Sequence, residues 1–332
     1  MRTKHSFLSL IFTFFVLSLS ACASYTPGPV SKTLTPENEG TIWFASNDGY
    51  DLTKFSTAPE IIVEGDLTIP TNHNGGTVIL SHGSDGKGSL HNNWRDFLNE
   101  NGFAVFLLDH FRPRKTINVL HSQVKVTEQQ MAYDVLNASS LIQTHPSINK
   151  NRIYHMGWSK GASAGIVASF DKVREMVTPG NTVENIAGFI EFYPWCGLRA
   201  ELSTYSPVLI MHGTKDNYTP LSLCETLVAD MDKAGSNIRI ERFQNSVHGF
   251  DDWNKKINTQ DSITIRKASD DCTLKIDPQT LEIRSINKKF SVDTYDNRKD
   301  FLSNCAERGV KYGGSPEHRS RTKKLVLEFL SR

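Results

Sequence analysis

The sequence predicts a three-layer α/β domain with a mostly parallel central sheet. Three observations lead there. Strand-like and helix-like segments alternate from Thr77 onward, many strand segments are largely apolar runs, and the chain has the size and composition of a large globular domain. Alternation requires right-handed crossovers between parallel strands, and continuous apolar runs suit strands covered on both faces. With 332 residues, 38 % hydrophobic and 22 % charged, disorder and a fibrous fold are excluded.

The first segment lies outside this domain. Arg2 and Lys4 precede an apolar run from Phe7 to Leu19 that ends in small residues, the pattern of a secretory signal peptide over residues 1–21. The run is too short to cross ~30 Å of hydrocarbon as a settled helix. Its end, Leu19-Ser20-Ala21-Cys22, resembles the bacterial lipobox, which implies a diacylated Cys22 as the first mature residue. A lipid on Cys22 and no aspartate after it imply membrane attachment in a bacterial envelope, at the outer membrane facing the periplasm. Residues 22–40, with Pro27, Gly28, Pro29 and Pro36 among Ser and Thr, read as a flexible tether.

The domain is expected over 41–332. Its strands are expected at Thr41–Ser46, Ile61–Ile69, Thr77–Ser81, Phe103–Leu108, Arg152–Gly157, Ile186–Tyr193, Pro207–Met211 and Ile238–Phe243, the first two pairing antiparallel at one edge. Helical patterns fall at about His91–Asn101, Thr127–Thr144, Lys160–Phe170 and Pro220–Ala234. Residues 251–315 break the rhythm with a hairpin around Asp277-Pro278-Gln279 and polar segments, and read as an insertion or lid. A closing helix, Pro316–Leu330, has Leu325, Val326, Phe329 and Leu330 on one face.

Charge and cysteine content limit the partners. Lys+Arg 37 against Asp+Glu 36, without a basic block, argues against nucleic acid. Setting Cys22 aside leaves Cys196, Cys224, Cys272 and Cys305, which in an oxidising compartment suggest two disulfides. No pair has CxxC spacing and no histidine cluster joins them, so no metal is expected. The favoured connectivity is Cys196 with Cys224 and Cys272 with Cys305. The first pair follows two consecutive strands of a parallel sheet, and the second flanks the hairpin of the insertion.

The strongest chemical signal is Gly157-Trp158-Ser159-Lys160-Gly161, a G-x-S-x-G between an apolar strand and the small-residue helix Ala162–Phe170. Such an elbow holds its serine in a strained turn, so its neighbours must be small. A serine hydroxyl needs a base, and the base needs an acid to orient it. In this chain order the acid comes next. Asp216 lies just past strand Pro207–Met211, where a parallel sheet builds its site, and His248 follows strand Ile238–Phe243. Asp230, Asp232, His212 and His318 are the weaker rivals. The amides of Ser84, after strand Thr77–Ser81, and of Lys160, after the serine, are the expected oxyanion donors. Ser84-Asp85-Gly86-Lys87 matches S-x-x-K, but its glycines disfavour the helical turn that this chemistry needs.

Phe111, Arg114, Trp158 and Trp195 fall near strand ends and are candidate substrate-binding residues. Tyr193, Phe250 and Trp253 share that position as a possible aromatic wall. Arg112 and Arg114 either pair an anionic substrate group or serve as partners of acids such as Asp109 or Glu191.

With these pieces in place, the chain over roughly Thr41 to Leu330 resembles the dienelactone hydrolase-like branch of the α/β-hydrolases. The matching residues are His82-Gly83-Ser84, Asp109-His110-Phe111-Arg112-Pro113-Arg114, the Ser159 elbow, His212-Gly213 with Asp216, and His248-Gly249-Phe250. The resemblance implies an α/β-hydrolase fold and a serine hydrolase of a small ester or lactone, with no cofactor. The name-giving dienelactone enzymes use cysteine as nucleophile, and Ser159 departs from them. Two other readings share the fold: a peptidase of prolyl oligopeptidase type, whose usual N-terminal propeller has no room in about 40 residues, and a non-catalytic binding lipoprotein.

Overall fold

A computed structural model describes residues 25–179, 184–252, 255–266, 268–314 and 316–331. The signal peptide, Cys22 and Trp253 lie outside the described residues.

Eight strands form the central sheet in the order β1-β2-β4-β3-β5-β6-β8-β9. They are β1 (Gly40–Asn47), β2 (Glu60–Thr68), β3 (Thr77–Ser81), β4 (Ala104–Asp109), β5 (Ile153–Trp158), β6 (Gly188–Phe192), β8 (Val208–Gly213) and β9 (Ile238–Phe243). Strand β2 runs antiparallel to β1 and β4, and every pairing from β4 to β9 is parallel. This is the α/β-hydrolase fold, with the antiparallel edge expected from the sequence. In β3, β5, β6 and β8 every residue is buried, as expected of largely apolar strands covered on both faces.

Two layers of helices cover the sheet. Val78 and Leu80 of β3 pack with Trp94 and Leu98 of α1 (Ser89–Glu100) and with Val326 and Phe329 of α7 (Pro316–Leu330). Ile79, between them, packs on the other face with Val135 of α2 (Glu128–Ile142), Ile166 of α3 (Lys160–Ser169) and Leu227 of α5 (Leu221–Lys233). The period of two in the strand thus divides one apolar run between two cores. Helix α2 starts where a capping box dictates: Thr127 N–H donates to Gln130 Oε1 (2.8 Å) and Gln130 N–H to Thr127 Oγ1 (3.1 Å).

Two parts differ from the sequence expectation. Residues 25–39 do not hang free as a tether. Leu34 is buried, its amide donates to Thr144 Oγ1 (2.8 Å), and Ser31 N–H donates to Trp43 O (2.7 Å). An apolar side chain with a pocket to fill outweighs the flexibility that Pro and Ser suggest. The insertion is also more ordered than its polarity implies. It contains β10 (Asn258–Thr264), β11 (Leu274–Ile276), β12 (Ile283–Ser285), α6 (Tyr295–Cys305) and β13 (Glu307–Tyr312). Strands β10 and β13 pair with each other, and β11 joins β7 (Leu198–Arg199) of the main domain. The bridges Cys196–Cys224 and Cys272–Cys305 are formed, the connectivity favoured from sequence. Helix α4 (Asp171–Val177), like α6, lies outside the helical patterns of the sequence. Among the described residues no helix is long and apolar enough to cross a membrane.

Candidate active site

Ser159 sits between β5 and α3 with φ 52° and ψ −112°. A non-glycine residue at positive φ stores strain of order 1–3 kcal/mol, and the surrounding glycines allow it. A Cβ on Gly157 would meet Gly161 O at 2.6 Å, and one on Gly161 would meet Ser81 O at 2.2 Å. The turn is therefore packed to backbone contact, and its serine is pushed up at the sheet's C-terminal edge.

Two later loops meet it there. His248 Nε2 lies 3.0 Å from Ser159 Oγ, and His248 Nδ1 lies 2.8 Å from Asp216 Oδ2. The other carboxylate oxygen of Asp216 accepts the amides of Tyr218 (2.8 Å) and Thr219 (2.9 Å). Thr219 Oγ1 lies 3.0 Å from Asp216 Oδ2 and 3.1 Å from His248 Nδ1, bracing the pair. Burial pushes the Asp216 carboxyl up, but the charge and hydrogen bond of His248 outweigh it and hold the group below the usual carboxylate range. The imidazole lies against the rings of Tyr193 and Tyr218, with centroids at 4.4 and 4.5 Å. The rivals stand elsewhere. His318 packs on Phe243, His212 Nδ1 lies 3.2 Å from Gly213 O, and Asp230 pairs with Arg199.

The loop after β3 lies directly over Ser159, since a Cβ on Gly83 would sit 3.3 Å from Ser159 Cβ. His82 shapes it: Nε2 accepts the amide of His110 (3.1 Å), which leaves Nδ1–H to donate to Gly83 O (2.9 Å). Burial lowers its pKa to about 4, so the ring stays neutral. The amides of Ser84 and Lys160 have no protein acceptor among the described residues. Lys87 pairs with Asp66 rather than with Ser84, which removes the S-x-x-K reading.

The four candidate substrate residues divide. Trp195 lines a cavity that reaches Ser84 and Ser159. Trp158 borders a smaller cleft beside Ser159, but its indole is buried and donates to Asp251 Oδ2 (2.9 Å) together with Trp94. Phe111 is core, packed with Val119, Val126 and Met131. Arg114 does not face the pocket. It is buried between Asp48 (2.8 Å) and Asp134 (2.8 Å), because the crossover from β4 brings it under β1 and α2. Arg112 points outward to Glu64. Asp109 caps the turn of Phe111 and Arg112, and Glu191 bonds His155, so neither acid is an arginine partner.

Sequence reasoning missed the residues that shape the cavity. Tyr218 and Thr219 stand in its wall, and across it the insertion supplies Ile263, Ile265, Val292, Phe301 and Arg298. Arg298 Nη2 bonds Glu128 Oε2 (2.6 Å), and Lys160 Nζ bonds Glu128 Oε1 (2.7 Å). Burial lowers Lys160 to about 8 against the pull of Glu128. Burial raises the Glu128 carboxyl, but Arg298 and Lys160 prevail and bring it to about 2. Among the described residues no group of three His, Cys, Asp or Glu could hold a metal ion.

The strand order is that of the α/β-hydrolase fold, and Ser159, His248 and Asp216 come together at the C-terminal edge of its sheet. The profile of the prolyl oligopeptidase family matches residues 168–264, a stretch that contains Asp216 and His248 but not Ser159. Solved structures similar to the chain include esterase 2 of Thermogutta terrifontis phosphorylated by paraoxon (18 % identity, 57 % of this chain and 79 % of that one, TM-score 0.43). A putative dienelactone hydrolase of Klebsiella pneumoniae matches at 14 % identity, 64 % and 89 % coverage and TM-score 0.44. A dienelactone hydrolase-like promiscuous phosphotriesterase from metagenomic libraries matches at 13 % identity, 64 % and 85 % coverage and TM-score 0.45. No curated protein matches the chain.

Proposed function

We propose that this protein is a serine hydrolase that cleaves a small carboxylic ester or lactone, with Ser159 as nucleophile, His248 as base and Asp216 as its orienting acid. The observation that carries this reading is the unbroken chain from Ser159 Oγ to His248 Nε2 (3.0 Å) and from His248 Nδ1 to Asp216 Oδ2 (2.8 Å), on a serine held at positive φ.

The chemistry follows from that chain. As Ser159 Oγ attacks the ester carbon, its proton passes to His248 Nε2, and Asp216 stabilises the imidazolium through Nδ1–H. Negative charge gathers on the former carbonyl oxygen, to which the amides of Ser84 and Lys160 donate without first breaking a protein hydrogen bond. The imidazolium then gives its proton to the departing alkoxide, leaving an acyl-serine. Water attacks that ester by the same route in reverse roles, and Ser159 is regenerated.

The match to the prolyl oligopeptidase family over residues 168–264 favours a second reading, cleavage of a peptide bond by the same triad. Both readings are tested by labelling with a fluorophosphonate and by turnover of matched ester and amide substrates. Labelling at Ser159 with ester turnover is expected. Turnover of the amide alone selects the peptidase, and no labelling with no turnover leaves a binding protein on a hydrolase fold.

Export and lipidation complete the proposal. The segment Leu19 to Cys22 supports a lipid on Cys22 and a place in the bacterial envelope, and Ala23 after it supports the outer membrane.

A further inference from the structure

We propose that the cavity beside Ser159 selects esters that carry a single carboxylate some distance from the scissile bond, recognised by Lys160 and Arg298. This rests on the serine hydrolase reading and adds the substrate class.

The argument begins with charge. Two cations, Lys160 and Arg298, share one carboxylate, Glu128, whose two oxygens are both taken, at 2.7 and 2.6 Å. Their side chains are 2 %, 9 % and 13 % exposed, in that order. The group therefore carries an excess of one positive charge, out of water and on the wall of the cavity that holds Ser159. The rest of the wall includes Trp195, Ile265, Val292 and Phe301, which offer no compensation.

The donors are in excess as well. Arg298 Nε donates to Gln123 O (3.0 Å) and Nη2 to Glu128, while Nη1 has no acceptor among the described residues. Lys160 Nζ uses Gln123 Oε1 (3.3 Å) and Glu128, two of its three protons. An uncompensated charge in an apolar surrounding is unfavourable, so a ligand anion gains what the cavity walls withhold. The excess of one matches a monoanion, and a guanidinium edge with a neighbouring ammonium suits a carboxylate.

A charge in this position acts on specificity and not on the reacting bond. Neither Glu128 nor Arg298 contacts Ser159, Asp216 or His248 through a hydrogen bond. Arg298 comes from α6 of the insertion, so the selectivity would be a property of the inserted segment.

The test compares monomethyl adipate with methyl hexanoate, of equal chain length, by titrating the acid released. A ratio of kcat/KM, anion over neutral, of about 10 or more is expected for the unaltered chain, since 1.4 kcal/mol is tenfold. Arg298→Met should bring the ratio toward one, Arg298→Lys should keep part of it, and Glu128→Gln should raise it. Isopropyl hydrogen adipate against isopropyl hexanoate, with the alcohol enlarged, should keep the ratio if the anion enters with the acyl part. An anion carried on the alcohol, as in the acetate ester of 6-hydroxyhexanoate against hexyl acetate, tests the other side. A ratio of one or below in both series for the unaltered chain overturns the proposal, even where a variant fails to fold. No turnover of any of these esters together with no fluorophosphonate labelling of Ser159 refutes the hydrolase reading instead.

Discussion

His248 Nε2 lies 3.0 Å from Ser159 Oγ across 89 residues of chain. The contact is made by two loops at the C-terminal edge of the sheet, one after β5 and one after β9, and its dependence on His248 sets the first expectation. His248→Ala should lose about 10⁴ or more in kcat on any ester that the protein turns over, as Ser159→Ala should, because the two act as a unit. The double variant should be no worse than either alone. Kinetics on a reporter ester decide this, and additive losses would separate the two residues.

Gly161→Ala should destabilise the fold by about 3 kcal/mol or more. Its new Cβ would stand 2.2 Å from Ser81 O and 2.6 Å from His82 O, which are backbone atoms without room to yield. Thermal melting measures the loss. Gly88→Ala, with nothing within 4 Å of its Cβ, is the control and should change little.

Acid stability should depend on Glu128. Its carboxyl titrates at about 2 in the fold and near the ordinary 4.5 when unfolded, so its contribution is complete above about 4.5 and is lost as pH falls toward 2. Between pH 5 and 2 the melting temperature of the unaltered chain should fall more steeply than that of Glu128→Gln. At neutral pH the variant should be the less stable of the two, since Lys160 and Arg298 lose their shared partner. Parallel slopes below pH 5 would contradict this role.

Replacing Cys272 and Cys305 by serine should cost about 3 to 4 kcal/mol on a chain-entropy estimate. The bridge fastens α6 to the segment before β11. Helix α6 carries Arg298, Phe301 and Leu302 into the cavity wall, so KM should rise more than kcat falls. Melting and steady-state kinetics on the same sample test both, and unchanged KM would show that the cavity does not need the bridge.

Cys22→Ser should release the protein from the membrane fraction or leave its signal uncleaved, as expected for a lipid carried by that thiol. Fractionation with mass analysis of the N-terminal peptide reads this directly. Membrane association with a cleaved signal and no lipid would remove the anchor.

The sequence by itself determined those features whose signals are local. A strand apolar at every residue, a turn that tolerates only small neighbours and a helix start marked by Thr127 and Gln130 are each set by backbone geometry within a few residues. Ser159, Asp216 and His248 could be picked out because each sits just after a strand read from the sequence, and strand ends on one edge of a parallel sheet converge. Helix α6 escaped notice because Asp296, Asn297, Lys299 and Asp300 leave no clear apolar stripe, and its order comes from Phe301 and the Cys305 bridge. Only the tertiary structure decided which charges are buried and with whom. In sequence Arg114 and Arg298 are alike, yet one is enclosed by Asp48 and Asp134 and the other meets Glu128 across 170 residues, in the wall of the cavity that reaches Ser159. A charge's partner is fixed by which distant segment packs against it, and desolvation then makes that partner matter. No local pattern encodes either.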